Sequence, residues 1–227
     1  MSLPHFFLRE QVLAFELAPV FALHLDADDT KHAKVLRLAV GEHIAVVDAV
    51  SDYFECEIVS FEGDELSVSI AQKLSSYARP EVVLVQGLAK GEKMDTIVRH
   101  ATEVGIAEFV PMTTWRSVVK LDAKKSKARF ERWASIAKSA AMQSGRSSKP
   151  VVHAPCSVAG AVDIAKDCDA VLICWEEAEL SNTLAKAVSC CIAATGKDPR
   201  SLRIALVVGP EGGLTAQEVD LFLALPY

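Results

Sequence analysis

The sequence of 227 residues lacks any uncharged apolar run of about 18 residues, and it lacks a basic start followed by an apolar block. These absences indicate neither a membrane-spanning helix nor a secretory signal. No Cys-x-x-Cys pair is present, and no histidine lies at ligand spacing from a cysteine, which disfavours zinc and predicts a protein without a metal. The cysteines lie mostly in apolar stretches, so we expect a cytoplasmic protein with reduced, largely buried thiols. They are Cys56, Cys156, Cys168, Cys174, Cys190 and Cys191, and the alternative for the last two is a vicinal redox pair.

The common glycine-rich phosphate motifs are also absent, although one glycine-rich turn is present. The stretch VVGPEGGLTAQE (207–218) places three glycines after an apolar run, and Thr215 and Glu218 have the spacing of a capping box. A helix is therefore expected to begin here with its free N–H groups facing the turn. Taken alone, the stretch is either an anion or nucleotide seat or a structural turn, and the residues leave both open.

Acidic residues outnumber basic ones in the whole chain, but the basic ones are concentrated in one segment. The net charge is −6, but residues 116–149 hold ten basic and two acidic residues, a local +8 that leaves −14 for the rest. Such a polarised field attracts a phosphate backbone to one face and predicts contact with RNA or DNA. The alternative is a solvated helix face. In this segment the expected contacts are Arg116, Lys124, Lys125, Arg129 and Arg132.

The pattern of apolar residues changes along the chain and predicts one domain at 1–73 and a second at 80–227. In the first, DYFECEIVSF alternates with Phe54, Cys56 and Ile58 on one face, which is typical of a small antiparallel β-domain. The preceding segment LDADDTKHAKVLRLAVGE predicts a short helix. Its expected core residues are Val35, Leu36 and Leu38.

Beyond the Ser- and Pro-containing linker LSSYARPE, five apolar runs alternate with helix-length segments. Continuous apolar strands separated by helices predict a parallel sheet covered on both faces, as in a doubly wound α/β domain. Ligands of such folds bind at the carboxyl ends of the strands. The stretches to search are therefore GLAKGEK, TTWRS, CWEEAE and GPEGG.

Four stretches taken in order resemble the RsmE family, bacterial enzymes that methylate N3 of a uridine in 16S ribosomal RNA. They are HAKVLRLAVGE, KGEKMDTIVRHATEVGI, RFERWASIAKSAAMQSGR and GPEGGLTAQE, and the resemblance covers essentially the whole chain from HFFLRE onwards. It implies a small N-terminal PUA-like β-barrel domain followed by a SPOUT α/β domain with a deep trefoil knot. It also implies S-adenosylmethionine as methyl donor, and a homodimer that acts on the small ribosomal subunit. Periodicity alone predicts only an ordinary doubly wound sheet.

The same resemblance assigns residues to a cofactor pocket. One cofactor-binding loop consists of Gly209, Pro210, Glu211, Gly212 and Gly213, and a second wall consists of Cys174, Trp175 and Glu176. In the family a segment of the type L-G-x-x-I-L-R-x-E-T-A follows GPEGG and closes the knot. The sequence stops at Tyr227 before such a segment, so we expect the knot segment to be missing from this chain and its pocket to be incomplete.

Methylation of uridine N3 requires loss of an imide proton, so a base or a positive neighbour is needed at the nucleophile. The resemblance implies Arg146 in MQSGR as the first catalytic candidate, and Glu103 in ATEVG is the second. The alternatives are a helix-terminal cation for Arg146 and an ordinary surface carboxylate for Glu103. Further RNA contacts are expected at Arg37, Lys90, Lys93 and Arg116.

Two other functional interpretations stay open. One is a PUA-type RNA or ribosome binder without catalysis. The other is a SPOUT methyltransferase that acts on a different RNA site.

Overall fold

The computed structural model describes residues 3–75, 78–179 and 183–225. The chain divides into two units, one comprising Met1–Tyr77 and Ala141–Lys149 and the other comprising Ala78–Ala140 and Pro150–Tyr227. Two residues of the predicted linker, Ser76 and Tyr77, lie outside the described residues, as do the last two residues of the chain. The predicted domains at 1–73 and 80–227 are each continuous in sequence, whereas the segment 141–149 groups with the first unit.

The first unit contains a five-stranded mixed sheet in the order β1-β3-β4-β5-β2. Its strands are β1 (His5–Phe7), β2 (Phe21–Ala22), β3 (His43–Val47), β4 (Tyr53–Glu62) and β5 (Glu65–Leu74). The predicted alternation on β4 is confirmed, because Phe54, Cys56 and Ile58 are all buried. The antiparallel prediction is confirmed for β3 to β5 and wrong for β1, which pairs in parallel with β3. The long connection between β1 and β3 permits this parallel pairing, which a tight hairpin does not.

A single α-helix, α1 (Ala27–Val35), lies between β2 and β3. It begins at Asp26, whose side chain accepts a hydrogen bond from the Asp29 backbone N–H at 2.8 Å. The helix buries Asp29 and Ala33, four residues apart. The prediction that Val35 and Leu36 are core residues is wrong, since their exposed fractions are 70% and 41%.

The segment that follows α1 carries two of the predicted residues. Leu38 is partly buried and packs against the core of the first unit, as expected. Arg37, the predicted RNA contact, has a positive φ of 54°, which is uncommon for a residue other than glycine.

The second unit contains a parallel sheet in the order β10-β11-β6-β7-β8, with β9 also paired to β7. Its strands are β6 (Glu81–Gly87), β7 (Glu108–Thr113), β8 (Val151–Val152), β9 (Cys156–Ser157), β10 (Ala170–Cys174) and β11 (Arg203–Val208). Its helices are α2 (Lys93–Val104), α3 (Ala123–Gln143), α4 (Val158–Ala165), α5 (Leu184–Thr195) and α6 (Ala216–Leu223), the last three residues of α3 being counted with the first unit. The predicted parallel sheet with intervening helices is confirmed, except that the predicted strand KPVVHAP (149–155) contains only the two-residue strand β8, and a further short strand, β9, follows it.

Alternate residues of the strands face opposite helical layers. On β6, Val83 and Val85 pack with α4 and α6, whereas Leu84 packs with α2 and α3. The centre of the second layer is Trp133, which meets Phe109 edge to face with ring centroids 6.2 Å apart. Strands that are apolar on both faces read as continuous hydrophobic runs, which is why the sequence predicted this sheet well.

The cysteines are only partly as predicted. Cys56, Cys168 and Cys191 are buried, and Cys156 is half-buried. Burial raises the pKa of the Cys56 thiol to about 12, so this thiol stays protonated at neutral pH. The expectation of burial is wrong for Cys174 and Cys190, which are exposed because they stand at a strand end and on the outer side of α5.

The last strand of the sheet lies between two earlier ones. β11 pairs with β10 on one side and with β6 on the other, so the strand order reverses beside β6. In open parallel sheets, the carboxyl edge at such a reversal is where ligands bind. This edge carries the loops that follow β6 and β11.

Candidate functional site

The loops after β6 and β11 are in close contact at the carboxyl edge of the sheet. A Cβ atom added to Gly87 would lie 2.5 Å from both the backbone N and the Cδ of Pro210, so only glycine fits at this position. The Gln86 side-chain amide donates hydrogen bonds to the carbonyl oxygens of Gly87 (3.0 Å) and Gly209 (3.2 Å). The GPEGG turn is therefore held directly against the end of β6.

Glu211, in the middle of that turn, is directed to the loop after β6. Its Oε1 accepts hydrogen bonds from the Lys90 backbone N–H at 3.1 Å and from the Lys93 ammonium at 2.9 Å. The hydrogen bond from Lys93, supported by backbone N–H groups, lowers the pKa of Glu211 to about 2. Glu211 is therefore ionised at neutral pH, and Lys93, predicted to contact RNA, already has a carboxylate partner within the site.

Arg116, from the loop after β7, braces the other side of the turn. Its guanidinium donates to the carbonyl oxygens of Gly212 (2.9 Å) and Leu214 (3.4 Å), and it lies 3.9 Å from a Glu176 carboxylate oxygen. Gly213 has a φ of +72°, and a Cβ added there would lie 2.1 Å from the same Glu176 oxygen. Four loops that the sequence marked for inspection, those after β6, β7, β10 and β11, thus meet around the GPEGG turn.

The capping box predicted at the start of α6 is confirmed. The Thr215 hydroxyl accepts from the Glu218 backbone N–H, and the Glu218 carboxylate accepts from the Thr215 backbone N–H at 2.9 Å. Glu218 is buried and its other oxygen accepts from the Trp115 backbone N–H at 2.7 Å. One carboxylate therefore fixes both the first turn of α6 and the loop after β7.

The residues predicted as the second wall of the cofactor pocket, at the end of β10, differ in exposure. Cys174 is exposed, and Trp175 is partly buried against the core that β6, β7 and β11 share with α4 and α6. The indole Nε1 of Trp175 is buried and has no hydrogen-bond partner in the part of the chain that the structure describes. A buried donor without a partner is costly, so we expect an ordered water or a ligand atom to accept a hydrogen bond from it.

The basic helix α3 is only partly available to an external ligand. Arg132 donates through Nε (2.8 Å) and a terminal nitrogen (2.6 Å) to Asp95 of α2, a buried carboxylate that also accepts from the Trp133 indole N–H. Lys125 lies 3.4 Å from Asp122, and Lys124 is exposed. Arg129 is half-buried. The RNA contacts predicted for this helix stay predictions, with Arg132 already engaged by a structural partner.

The predicted catalytic residues do not belong to the cluster around the GPEGG turn. Glu103 lies near the end of α2, where it accepts a hydrogen bond from His100 at 3.0 Å. Because α2 runs back from the carboxyl edge, Glu103 is at the opposite edge of the sheet, about 15–18 Å along the helix. Arg146 belongs to the first unit, where its backbone N–H donates to the Ala141 carbonyl and its guanidinium approaches the Ser148 hydroxyl at 3.4 Å. Both catalytic assignments stay predictions.

Sequence reasoning missed Gln86 and Trp115 at this edge, and it predicted Glu218 only as a capping-box residue without its bond to the loop after β7. Gln86 and Glu218 organise the turn through side-chain hydrogen bonds, and the Trp115 side chain is 87% exposed. A polar Gln inside an otherwise apolar strand was an available signal. In residues 3–75, 78–179 and 183–225 no group of three or more His, Cys, Asp or Glu side chains is placed to hold a metal ion. Within the same ranges no helix has the length and apolar character needed to cross a membrane.

Comparison with known proteins agrees with this geometry. The family model described as the RNA methyltransferase domain matches residues 77–225, which places the chain in the class of RNA methyltransferases. The ribosomal RNA small subunit methyltransferase E of Bacillus subtilis (strain 168) is 32% identical over 208 residues, covering 90% of this chain and 79% of the relative. The chain belongs to this ribosomal RNA small subunit methyltransferase E family, RsmE.

Solved structures of similar proteins extend over nearly the whole chain. A Legionella pneumophila methyltransferase in complex with S-adenosylmethionine is 26% identical, with a TM-score of 0.76 over 98% of this chain and 86% of that one. A ribosomal RNA small subunit methyltransferase E from Neisseria gonorrhoeae, bound to S-adenosylmethionine, has a TM-score of 0.72 at 23% identity, covering 97% of this chain and 85% of its own. At that identity the second likeness supports the fold alone.

Proposed function

We propose that this protein transfers a methyl group from S-adenosylmethionine to N3 of a uridine in the 16S RNA of the small ribosomal subunit. The observation that carries the proposal is the GPEGG turn, which is held by Gln86, Lys93 and Arg116 at the strand-order reversal of a parallel sheet. That turn lies at the edge where parallel sheets bind ligands. The family named above and a relative solved with S-adenosylmethionine support the same activity.

The residues at this edge fit the proposed methyl donor. The GPEGG turn is built of peptide backbone without a cation directed outward, because the lysine and arginine beside it are turned to Glu211 and to backbone carbonyls. An uncharged adenosine needs such backbone partners and apolar surface rather than a basic side chain. The unpartnered Trp175 Nε1 offers one further donor. The bound donor would supply an activated methyl group, and the chain would supply binding and orientation.

The nucleophile imposes a second demand, because uridine N3 must lose a proton. We propose that Arg146 stabilises the negative charge that develops on the base and helps to position the RNA. Glu103 is the less favoured catalytic candidate, since it lies at the amino edge of the sheet. RNA phosphates are proposed to contact the basic residues predicted above. These are Arg37, Lys90, Lys93, Arg116, Lys124, Lys125, Arg129 and Arg132.

The finer architecture belongs to the same proposal. We propose that the first unit is a PUA-like barrel domain at 1–73 and that the second, at 80–227, is a SPOUT trefoil-knot domain. The five-stranded mixed sheet and the insertion of β11 between β10 and β6 support these assignments. We further propose that the protein works as a cytoplasmic homodimer, which the family resemblance supports.

Calorimetry of the protein with S-adenosylmethionine tests cofactor binding. Mass spectrometry of 16S rRNA nucleosides, after incubation of the protein with small subunits from a deletion strain, tests methylation. We expect saturable cofactor binding and the appearance of N3-methyluridine. The exposed Glu57→Gln variant is the control and should behave as the wild type. Absence of cofactor binding refutes the proposal, and retained RNA affinity without it would favour the binding-only function. A methyl group on another nucleoside would replace the substrate assignment.

A further inference from the structure

The loop after β7 forms a rigid turn. The Ser117 backbone N–H donates to the Thr114 carbonyl at 3.1 Å, and the Thr114 backbone N–H donates to the Ser117 hydroxyl at 3.0 Å. The two hydroxyls are 3.0 Å apart, and both side chains are buried. Between them, the Trp115 backbone N–H is held by Glu218. Because these bonds fix the turn internally and to α6, the backbone of Trp115, and with it the point from which the indole projects, is fixed before any ligand arrives.

The Trp115 indole nevertheless faces solvent. It is 87% exposed, whereas Trp133 is 2% exposed and Trp175 packs against the core. Tryptophan is among the side chains that gain most from burial, and an isolated exposed one contributes nothing to the stability of the fold. A rigid turn that presents a large flat aromatic ring to solvent is typical of a recognition surface.

The indole borders an open cleft between α4 and α6. Its volume of about 470 Å³ lies within the range of small-ligand sites. Part of the lining is apolar and includes Leu221, which is 51% exposed, and the rest carries hydroxyl, amide and carboxylate groups. The lining includes Thr113, Ser157, Val158, Thr215, Gln217 and Glu218. A flat ring with polar edges suits this combination better than an aliphatic chain, because the edge atoms find hydrogen-bond partners.

The basic residues near this turn favour a nucleic acid as the ligand, with one of its bases as the flat ring that enters the cleft. Arg116 follows Trp115 directly, and Lys120, Lys124 and Lys125 follow it with one acidic residue, Asp122, among them. Unpaired bases are commonly recognised by aromatic stacking while basic side chains follow the phosphates. The turn is also continuous with the proposed methyl-donor site, since Arg116 is bonded to the GPEGG loop.

We propose that Trp115 is a stacking platform for an unpaired nucleobase of the RNA substrate, which enters the cleft between α4 and α6. This inference rests on the proposed function for the identity of the RNA. The platform adds affinity through the base, independently of the phosphate contacts made by the basic residues. It selects unpaired RNA, because a base within a duplex does not expose its face.

Binding of a short oligouridylate to the full chain tests the platform, measured by quenching of tryptophan fluorescence. Trp115→Ala should weaken binding about 5- to 150-fold, the range of one base–aromatic stack, and remove most of the quenching. Trp115→Phe should retain most of the affinity. An abasic oligomer of equal length carries the same phosphates, and the substitution should leave its binding unchanged. The slope of affinity against salt should also be the same in wild type and Trp115→Ala, because no charge is altered.

The outcomes separate this inference from the proposed function. Equal oligouridylate affinities of wild type and Trp115→Ala, or an equal loss of affinity for the abasic oligomer, overturn the platform even if methylation occurs. The two proposals can also separate in the other direction. If Trp115→Ala weakens oligouridylate binding but the wild type neither binds S-adenosylmethionine nor methylates RNA, the platform is supported and the proposed function is refuted. A change of oligomeric state in Trp115→Ala without a change in RNA affinity assigns the indole to a protein contact and overturns the proposal.

Discussion

Asp95 is the buried charge on which the packing of α2 against α3 depends, and its removal has a calculable cost. The carboxylate accepts the Trp133 indole N–H at 3.0 Å and two hydrogen bonds from Arg132. Trp133 is 2% exposed, so Asp95→Ala leaves a buried donor without a partner, which costs about 1–3 kcal/mol. Arg132 is half exposed and regains water, so its lost pairing adds little. We expect a loss of about 1–3 kcal/mol in the free energy of unfolding, which is the cost of the unsatisfied indole donor.

Two matched variants sharpen this prediction. Asp95→Asn keeps an acceptor for the indole and loses only the charge, so it should cost about 1 kcal/mol. Asp163→Ala removes a carboxylate from an exposed helical pair with Lys166, and it should cost less than about 0.5 kcal/mol. Urea unfolding followed by tryptophan fluorescence measures all three. If Asp95→Ala unfolds at the same urea concentration as Asp163→Ala, the buried-donor argument is refuted.

The pH dependence of the same residue has a defined sign. Burial alone raises the pKa of Asp95, but the hydrogen bonds and charge of Arg132, with the Trp133 hydrogen bond, lower it overall. In the unfolded chain the Asp95 carboxyl titrates at about pH 3.9. Its contribution to the free energy of unfolding is therefore fully present above that pH, and it is lost as the pH falls through the lower pKa that Asp95 has in the folded protein. Stability of Asp95→Ala should therefore decline less steeply in acid than that of the wild type.

Two further predictions concern the proposed ligands. Gly87→Ala places a methyl group against Pro210 of the GPEGG turn. Calorimetry should then detect a loss of S-adenosylmethionine affinity, while circular dichroism shows unchanged secondary structure. Unaltered affinity would mean that the contact between Gly87 and the GPEGG turn is not part of the cofactor pocket. Charge reversal at Lys124, Lys125 and Arg129 should weaken RNA binding and flatten its salt dependence, whereas reversal at the exposed Lys186 should not. An unchanged slope would assign the three residues to a solvated face.

The parts of the fold that follow from local pattern were predictable from the sequence. Continuous apolar strands predicted the parallel sheet, and the spacing of Thr215 and Glu218 predicted the start of α6. The pairing of β1 was not predictable, because a three-residue strand carries no periodicity. The core assignment of Val35 and Leu36 failed for a related reason, since apolar character does not specify which side of a short helix meets a neighbour.

The sequence predicted which strand ends form the candidate site, but it did not predict which side chains contact one another there. That Gly87 must be glycine depends on Pro210, which is remote in sequence. Likewise, the engagement of Lys93 by Glu211 and of Arg132 by Asp95 changes how available each cation is, and neither pair has a sequence signature. The surroundings of Trp115 depend on where the first turns of α4 and α6 lie in space, which a single sequence does not reveal.

The position of β11 fixes the order in which this protein can mature. During synthesis, β6 and β10 are both made before the strand that must lie between them, so the growing chain has to leave a gap in its own sheet. Contacts between partners so distant in sequence form slowly and expose unpaired strand edges until they close. The GPEGG turn directly follows β11, so the proposed cofactor loop cannot reach its place beside β6 until that gap is filled.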